Sequence, residues 1–84
     1  MSELTRGSIV RSLAGHDQGR FFLVLSADEQ FAWIADGKER KLEVPKKKNR
    51  KHLAPTGAQL SVDGIASNKA LRRLLSPYNF GERV

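Results

Sequence analysis

The sequence contains no cysteine, only three prolines, and no apolar run long enough to cross a membrane. The absence of cysteine excludes a disulfide framework and any cysteine-ligated metal site. The first residues lack the apolar core of a signal peptide, so we expect a soluble protein of the cytoplasm. Because the chain has only 84 residues, we expect one small domain with a modest core.

Positive charge is concentrated in one short part of the chain. The formal net charge is +6, from 15 basic and 9 acidic residues. Residues 1–37 carry three basic and five acidic residues, residues 38–52 carry eight and two, and residues 53–84 carry four and two. The three parts therefore have net charges of −2, +6 and +2. A concentrated excess of this kind creates a local potential that attracts polyanions.

The chain begins with a predicted β-hairpin around the glycine-rich stretch 15–19. Two runs of β-branched or aromatic residues flank this stretch and predict strands at about 7–12 and 20–26. The two glycines mark a tight connection in which some residues need positive φ. Residues 1–6 are polar, and we expect them to be loosely held.

A second hairpin is predicted after residue 30. A strand is expected at 31–35, with Phe31 and Trp33 on one face and the intervening residues on the other. Asp36-Gly37 is typical of a two-residue hairpin turn and would lead into a fourth strand at 39–44.

The basic run follows Pro45. Five of the six residues at 46–51 are basic, and like charges repel and cannot form a core. We therefore expect an exposed basic loop at 45–52. A fifth strand or a 3₁₀ turn near 52–54 would then close a small SH3-like barrel.

The C-terminal part predicts one amphipathic helix. Residues 58–66 fit a strand and a short helix equally well. Ser67 is a good N-cap for a helix at about 68–76, whose leucine stripe must bury against the barrel. That stripe consists of Leu71, Leu74 and Leu75.

The expected fold is therefore mainly β. A small SH3-like barrel would occupy residues 1–57, and a C-terminal extension with the helix packed on the barrel would occupy residues 58–84. The sequence leaves the structure of the tail at 78–84 open.

Residues 7–20 (GSIVRSLAGHDQGR) resemble the KOW motif of ribosomal proteins and transcription-elongation factors. Together with residues 44–53 (VPKKKNRKHL), they resemble the small bacterial KOW-domain RNA-binding proteins. Those proteins are related to the eukaryotic and archaeal large-subunit ribosomal protein numbered fourteen. The resemblance covers residues 6–57 and departs at Phe21-Phe22, where many KOW motifs carry another glycine. It implies an SH3-like barrel of KOW type, RNA binding and association with the large ribosomal subunit.

Three groups of residues are candidate RNA contacts. Each cation that neutralises a phosphate releases condensed counterions, which favours the basic run. Its candidates are Lys46, Lys47, Lys48, Arg50 and Lys51. The resemblance adds the hairpin tip, with Gly15, His16, Gln18, Gly19 and Arg20. The helix adds Arg72 and Arg73. Each group has an alternative interpretation without RNA. The basic run would be a solvated loop, the hairpin tip an ordinary turn, and the two arginines would merely solvate the helix.

The aromatic residues allow two interpretations. Phe21, Phe22, Phe31 and Trp33 could stack on unpaired bases or form the core. We expect Phe22 and Trp33 to be core residues, because aromatic rings in the strands of so small a domain usually are. The orientation of Phe21 is left open.

Binding is the expected activity, and catalysis is not. His16 and Asp17 are neighbours on an extended segment and point apart, and no metal-ligand spacing or nucleotide-binding loop is present. We expect no enzyme, cofactor or metal, but a monomer that binds structured RNA, with ribosomal RNA implied by the resemblance. One alternative is a protein-interaction module of the SH3-like kind found in elongation factors. A weaker one is a double-stranded DNA binder, since no recognition helix is evident.

Overall fold

A computed structural model of the protein describes residues 4–79. Its strands and helix are β1 (Ser8–Ser12), β2 (Phe21–Ala27), β3 (Phe31–Ala35), β4 (Lys46–Asn49), β5 (Leu53–Gln59) and α1 (Asn68–Asn79). Single turns of 3₁₀ helix lie at Arg50–His52 and Val62–Gly64. The strands form one antiparallel sheet in the order β4-β3-β2-β1-β5. The described chain is thus mainly β with one C-terminal helix, as the sequence predicted.

The first three strands lie close to their predicted positions. Val10 is opposite Phe22 in the β1–β2 ladder, and Val24 is opposite Ile34 in the β2–β3 ladder. Gly15 and Gly19 both have φ of +89°, a backbone conformation that glycine adopts without strain. The prediction of a glycine-dependent hairpin connection is confirmed.

The predicted fourth strand at 39–44 is wrong, and so is the predicted loop at 45–52. Asp36 does not close a two-residue turn; its Oδ1 accepts hydrogen bonds of 2.9 Å from the backbone N–H groups of Lys38 and Arg40. A longer loop follows Asp36, so the next strand begins later in the sequence than predicted. This strand, β4, is the basic run itself, and its Lys47 lies opposite Trp33. Pairing with β3 satisfies the backbone groups of the run that face this strand, and strand alternation sends successive lysines to opposite faces.

The loop after β3 packs closely on the start of α1. Gly37 has a φ of +80°, and a Cβ at this position would collide with the backbone of Asn68. The Asn68 side chain accepts a 2.7 Å hydrogen bond from the Leu42 N–H and donates to Glu43. Loop and helix are therefore fixed together.

The two outer strands of the sheet are joined by a single 3₁₀ turn. The strand or 3₁₀ turn that the sequence predicted near 52–54 is present as this turn, Arg50–His52, followed by β5. The Leu13 N–H donates to the His52 carbonyl at 2.8 Å, and the Arg50 N–H donates to the Gln30 carbonyl at 2.9 Å. In the described residues no ladder joins β4 to β5, so strand pairing does not close the sheet into a barrel. β5 also crosses the expected boundary at residue 57 and continues into the ambiguous region.

Two hydrophobic clusters lie on the two sides of the sheet. The inner cluster contains Leu4, Val10, Phe22, Val24, Ala32, Ile34 and Leu53. The outer cluster contains Ile9, Leu23, Ala35, Leu71 and Leu75. Because Leu4 is buried in the inner cluster, the expectation of a loose segment at 1–6 is wrong for this residue.

The helix begins as predicted and ends later than predicted. The Ser67 Oγ accepts a 3.1 Å hydrogen bond from the Ala70 N–H, which confirms the N-cap. The helix continues past Pro77 to Asn79, whose Oδ1 accepts a 2.9 Å hydrogen bond from the Phe21 N–H. This contact anchors the last turn on β2.

The predicted leucine stripe of α1 is only partly buried. Two of its leucines pack in the outer cluster, but Leu74 is 42% exposed, so its predicted burial is wrong. No helix in residues 4–79 is long and apolar enough to span a bilayer. Most of the tail that the sequence left open lies outside the described residues.

Candidate nucleic-acid interface

β4 divides the basic run between the two sides of the sheet. Lys46 and Lys48 lie opposite Ile34 and Ala32, which belong to the inner cluster, whereas Lys47 lies opposite Trp33 on the outer side. Lys48 is only 8% exposed, and Lys47 is exposed. The expectation that the whole run faces solvent is therefore wrong for Lys48.

The buried ammonium of Lys48 is fully engaged by the protein itself. Its Nζ donates to Ser12 Oγ at 2.9 Å, to the Ala14 carbonyl at 2.7 Å and to Asp17 Oδ1 at 2.7 Å. An ammonium has three protons, so no donor remains for a phosphate. We exclude Lys48 from the proposed contacts for this reason.

Lys46 completes what we call the lysine–aspartate cluster, formed by Ser12, Asp17, Lys46 and Lys48. The Lys46 Nζ donates to Asp17 Oδ2 at 3.0 Å, and Ser12 Oγ donates to Asp17 Oδ1 at 2.7 Å. Two cations against one carboxylate leave the cluster with a net charge of +1. The cluster holds the hairpin tip at 15–19 directly against β4, which brings together the two regions that the sequence singled out.

The cluster lowers the pKa of Asp17. Partial burial raises this pKa, but hydrogen bonds from Lys48, Ser12 and Lys46 outweigh burial and hold it well below the usual range. A carboxyl whose pKa is lower in the folded state stabilises the fold fully above its unfolded pKa of about 3.9, and this stabilisation is lost as the pH falls below that value.

We expect the free energy of unfolding to fall steeply below about pH 4, and to fall less steeply in Asp17→Asn. Urea denaturation at a series of pH values measures the difference. Asp28 and Glu43 also have lowered pKa values, from backbone N–H donation by Phe31 and Gln30 to Asp28 and from Asn68 donation to Glu43. Asp28 and Glu43 contribute equally to the pH dependence of the unmodified protein and of Asp17→Asn, so their contributions cancel in the comparison. Parallel pH profiles would contradict the assignment.

Some candidate residues of the hairpin tip are exposed, and one already interacts with another side chain of the protein. Gly15, His16, Gln18 and Gly19 are exposed. Arg20 is partly buried and donates to Asp36 Oδ2 at 3.3 Å, so its guanidinium is already held by the protein. A cleft of about 150 Å³ lies beside the tip. It is lined by His16, Asp17, Arg20, Phe22, Asp36, Glu39, Arg40 and Lys46. Acidic and basic side chains balance there, so the cleft is a poor anion site.

Further cations lie on the 3₁₀ turn after β4. Lys51 is exposed, and its backbone N–H donates to Asn49 Oδ1 at 3.1 Å, which caps the turn. The Arg50 Nη1 donates to the Asp28 carbonyl at 2.6 Å, which orients the guanidinium and leaves most of its five donors available. Together with Lys46 and Lys47, these residues form what we call the β4 surface.

Helix α1 carries a second basic surface. Arg72 and Arg73 are exposed and line an open cavity of about 460 Å³ with Lys38, Lys69 and Ser76. Lys69 is placed three and four residues before the arginines, so the three cations share one helix face, where like charges repel. None of the four cations has an ion-pair partner in the part of the chain that the structure describes. Sequence reasoning missed Lys38 and Lys69, although the helical spacing of Lys69 could have indicated it.

The aromatic residues divide between core and surface. Phe22 is buried in the inner cluster, as predicted. Phe21 packs on Tyr78 of α1, with ring centroids 5.6 Å apart. The prediction that Trp33 is a core residue is wrong, because Trp33 is half-buried on the outer side of β3 and belongs to neither cluster.

No protein-family model matches this chain, and neither does any curated protein.

Proposed function

We propose that this protein binds structured RNA through phosphate contacts, as an SH3-like barrel of KOW type. The observation that carries the proposal is the joining of the hairpin tip to β4 by the lysine–aspartate cluster. This contact places a glycine-rich backbone beside Lys46 on the inner side of β4, while Lys47 lies on the outer side of the same edge strand. The proposed contacts are Lys46, Lys47, Arg50, Lys51, Gly15, His16, Gln18 and Gly19.

The charges of the β4 surface suit a phosphate backbone. Lys47 and Lys51 are exposed and have no ion-pair partner in residues 4–79. The Lys46 side chain is 27% exposed and uses one of its three donors on Asp17, so it can contact a phosphate without leaving the cluster. The backbone N–H of Gly15 in the exposed tip is a further phosphate donor, whereas the Gly19 N–H already donates to the Ser12 carbonyl at 2.8 Å.

Recognition of this kind is expected to depend on shape more than on sequence. Phosphate contacts fix the position of a protein on RNA and carry no sequence information directly. The resemblance to the small bacterial KOW proteins extends the proposal to ribosomal RNA of the large subunit, bound in the cytoplasm by a monomer without a cofactor. Arg72 and Arg73, with Lys38 and Lys69, would enlarge the surface available to such an RNA.

The salt dependence of RNA binding tests this function. Four phosphates neutralised by the β4 surface, at about 0.7 each, predict a slope of about −3 or steeper in a plot of log K against log salt concentration. We expect a folded RNA hairpin to bind more tightly than a DNA duplex of equal length at the same salt concentration.

Two results would contradict RNA binding. A nearly flat salt dependence would favour the protein-interaction alternative, because apolar contacts are little affected by salt. Tighter binding of the DNA duplex would favour the DNA alternative.

A further inference from the structure

Two aromatic rings of the domain belong to neither hydrophobic cluster. Phe31 and Trp33 are half-buried on the outer side of β3 and pack against neither the inner nor the outer cluster. Large aromatic rings contribute strongly to the energetics of small cores. The only tryptophan of the chain is therefore left outside both cores.

One end of the outer side of β3 is covered by α1. Ala35 belongs to the outer cluster beneath α1, together with Leu71 and Leu75. Trp33 and Phe31 follow on the same face, at successive alternate positions away from the helix. Their Cα atoms are about 6.7 Å apart along the strand, so each ring can present its own face.

A cation lies over these rings. The Lys47 Nζ is 4.2 Å from the centroid of the Phe31 ring and 5.9 Å from that of the Trp33 ring. Lys47 is exposed, and a cation–π contact at such a site contributes only about 0.5–1 kcal/mol. Because the Lys47 side chain is flexible, its ammonium can leave the rings and bind a partner that holds it more strongly.

We propose that Phe31 and Trp33 form a stacking surface for an unpaired RNA base, and that Lys47 binds the phosphate attached to it. This inference rests on the proposed RNA binding and adds that the protein binds RNA with an unpaired nucleotide more tightly than fully paired RNA. A base has an apolar face that matches the rings and an anionic phosphate next to it that matches the lysine. The bound base replaces the ammonium on the rings, and the ammonium moves to the phosphate.

The space beside Phe31 suits a base edge better than a phosphate. An open cavity of about 470 Å³ there is lined by Asp28, Glu29, Gln30, Phe31 and Lys47. The two carboxylates repel a phosphate but accept hydrogen bonds from amino groups on a base edge. The phosphate is therefore expected on the Lys47 side, towards the β4 surface.

The test compares two RNA probes with equal numbers of phosphates. One is a hairpin with a single-stranded loop of mixed sequence, and the other is a fully paired duplex. We expect the hairpin to quench the fluorescence of Trp33 in the unmodified protein and the duplex to leave it nearly unchanged. Trp33→Leu and Phe31→Leu should each weaken hairpin binding by about 5- to 100-fold and leave duplex binding and the salt slope unchanged.

Phe21→Leu is the matched control, since it removes a half-buried aromatic ring that packs on Tyr78 instead. It should leave both affinities unchanged, and circular dichroism verifies that each variant is folded. If Trp33→Leu does not fold, Phe31→Leu and the fluorescence of the unmodified protein decide the question.

Each outcome separates the stacking surface from RNA binding itself. Equal affinities of both leucine variants and the unmodified protein for the hairpin, without quenching, would overturn stacking and leave RNA binding intact. Failure of the unmodified protein to bind either RNA at low salt would overturn both. Quenching of Trp33 by the hairpin together with the selective loss in the variants would support the inference.

Discussion

Replacing Lys48 with methionine is expected to lower the free energy of unfolding by about 3 kcal/mol, because it breaks a buried ion pair from one side. The Asp17 side chain is only 13% exposed and would keep Lys46 and Ser12 as partners, which places the loss at the lower end for buried pairs. Lys47→Met changes the next residue of the same run. It should cost no more than about 1 kcal/mol, the value of an exposed cation–π contact.

Thermal and urea unfolding distinguish these two variants. A loss of 3 kcal/mol corresponds to a fall in Tm of about 12–24 °C in a domain of this size. The double variant Lys48→Met with Asp17→Asn should cost less than the sum of the single variants, because it removes both members of the buried pair, and Lys46, which loses its carboxylate, is partly exposed. Similar losses for Lys48→Met and Lys47→Met would contradict the division of the run into a buried and an exposed lysine.

Changing Lys47, Arg50 and Lys51 together to glutamine is expected to weaken RNA binding by about 50-fold near 0.15 M salt. This factor follows from three lost phosphate contacts with about 0.7 counterions released at each. The fold should be unaffected, since none of the three side chains belongs to the inner or outer cluster.

A matched control removes the same charge elsewhere. Arg6, Arg11 and Lys41 are exposed and lie outside the proposed contacts, so their joint replacement by glutamine also lowers the net charge by three. We expect a much smaller loss of affinity from this control. Equal losses in the two triple variants would mean that net charge, rather than the β4 surface, attracts the RNA.

The sequence predicted the parts of the fold that depend on neighbouring residues. Short runs of β-branched or aromatic residues located β1 to β3, and Ser67 marked the start of α1, where its Oγ accepts a hydrogen bond from the Ala70 N–H. These signals are local, so they survive without knowledge of the tertiary contacts.

β4 depends on contacts that the local sequence does not contain. A run of lysines predicts a loop because charge is costly to bury. In the structure, Lys48 finds its three acceptors on residues that precede it by more than thirty positions. The only hint in the sequence is Asp17, an acidic residue within the hairpin tip.

Trp33 shows a different limit of sequence reasoning. Strand alternation placed Phe31 and Trp33 together on one face correctly, but ring size alone suggested that Trp33 belongs to the core. Ala32 and Ile34 on the opposite face belong to the inner cluster, and on the Trp33 face the outer cluster includes Ala35 but not Trp33. The neighbouring strands determine which face of β3 is buried, and alternation within β3 alone does not reveal this.

The most direct test of phosphate binding by the β4 surface is the slope of log K against log salt concentration for one folded RNA. The unmodified protein should give about −3 or steeper, and the variant lacking Lys47, Arg50 and Lys51 should be shallower by about 2. Identical slopes for the two proteins would contradict RNA binding by this surface.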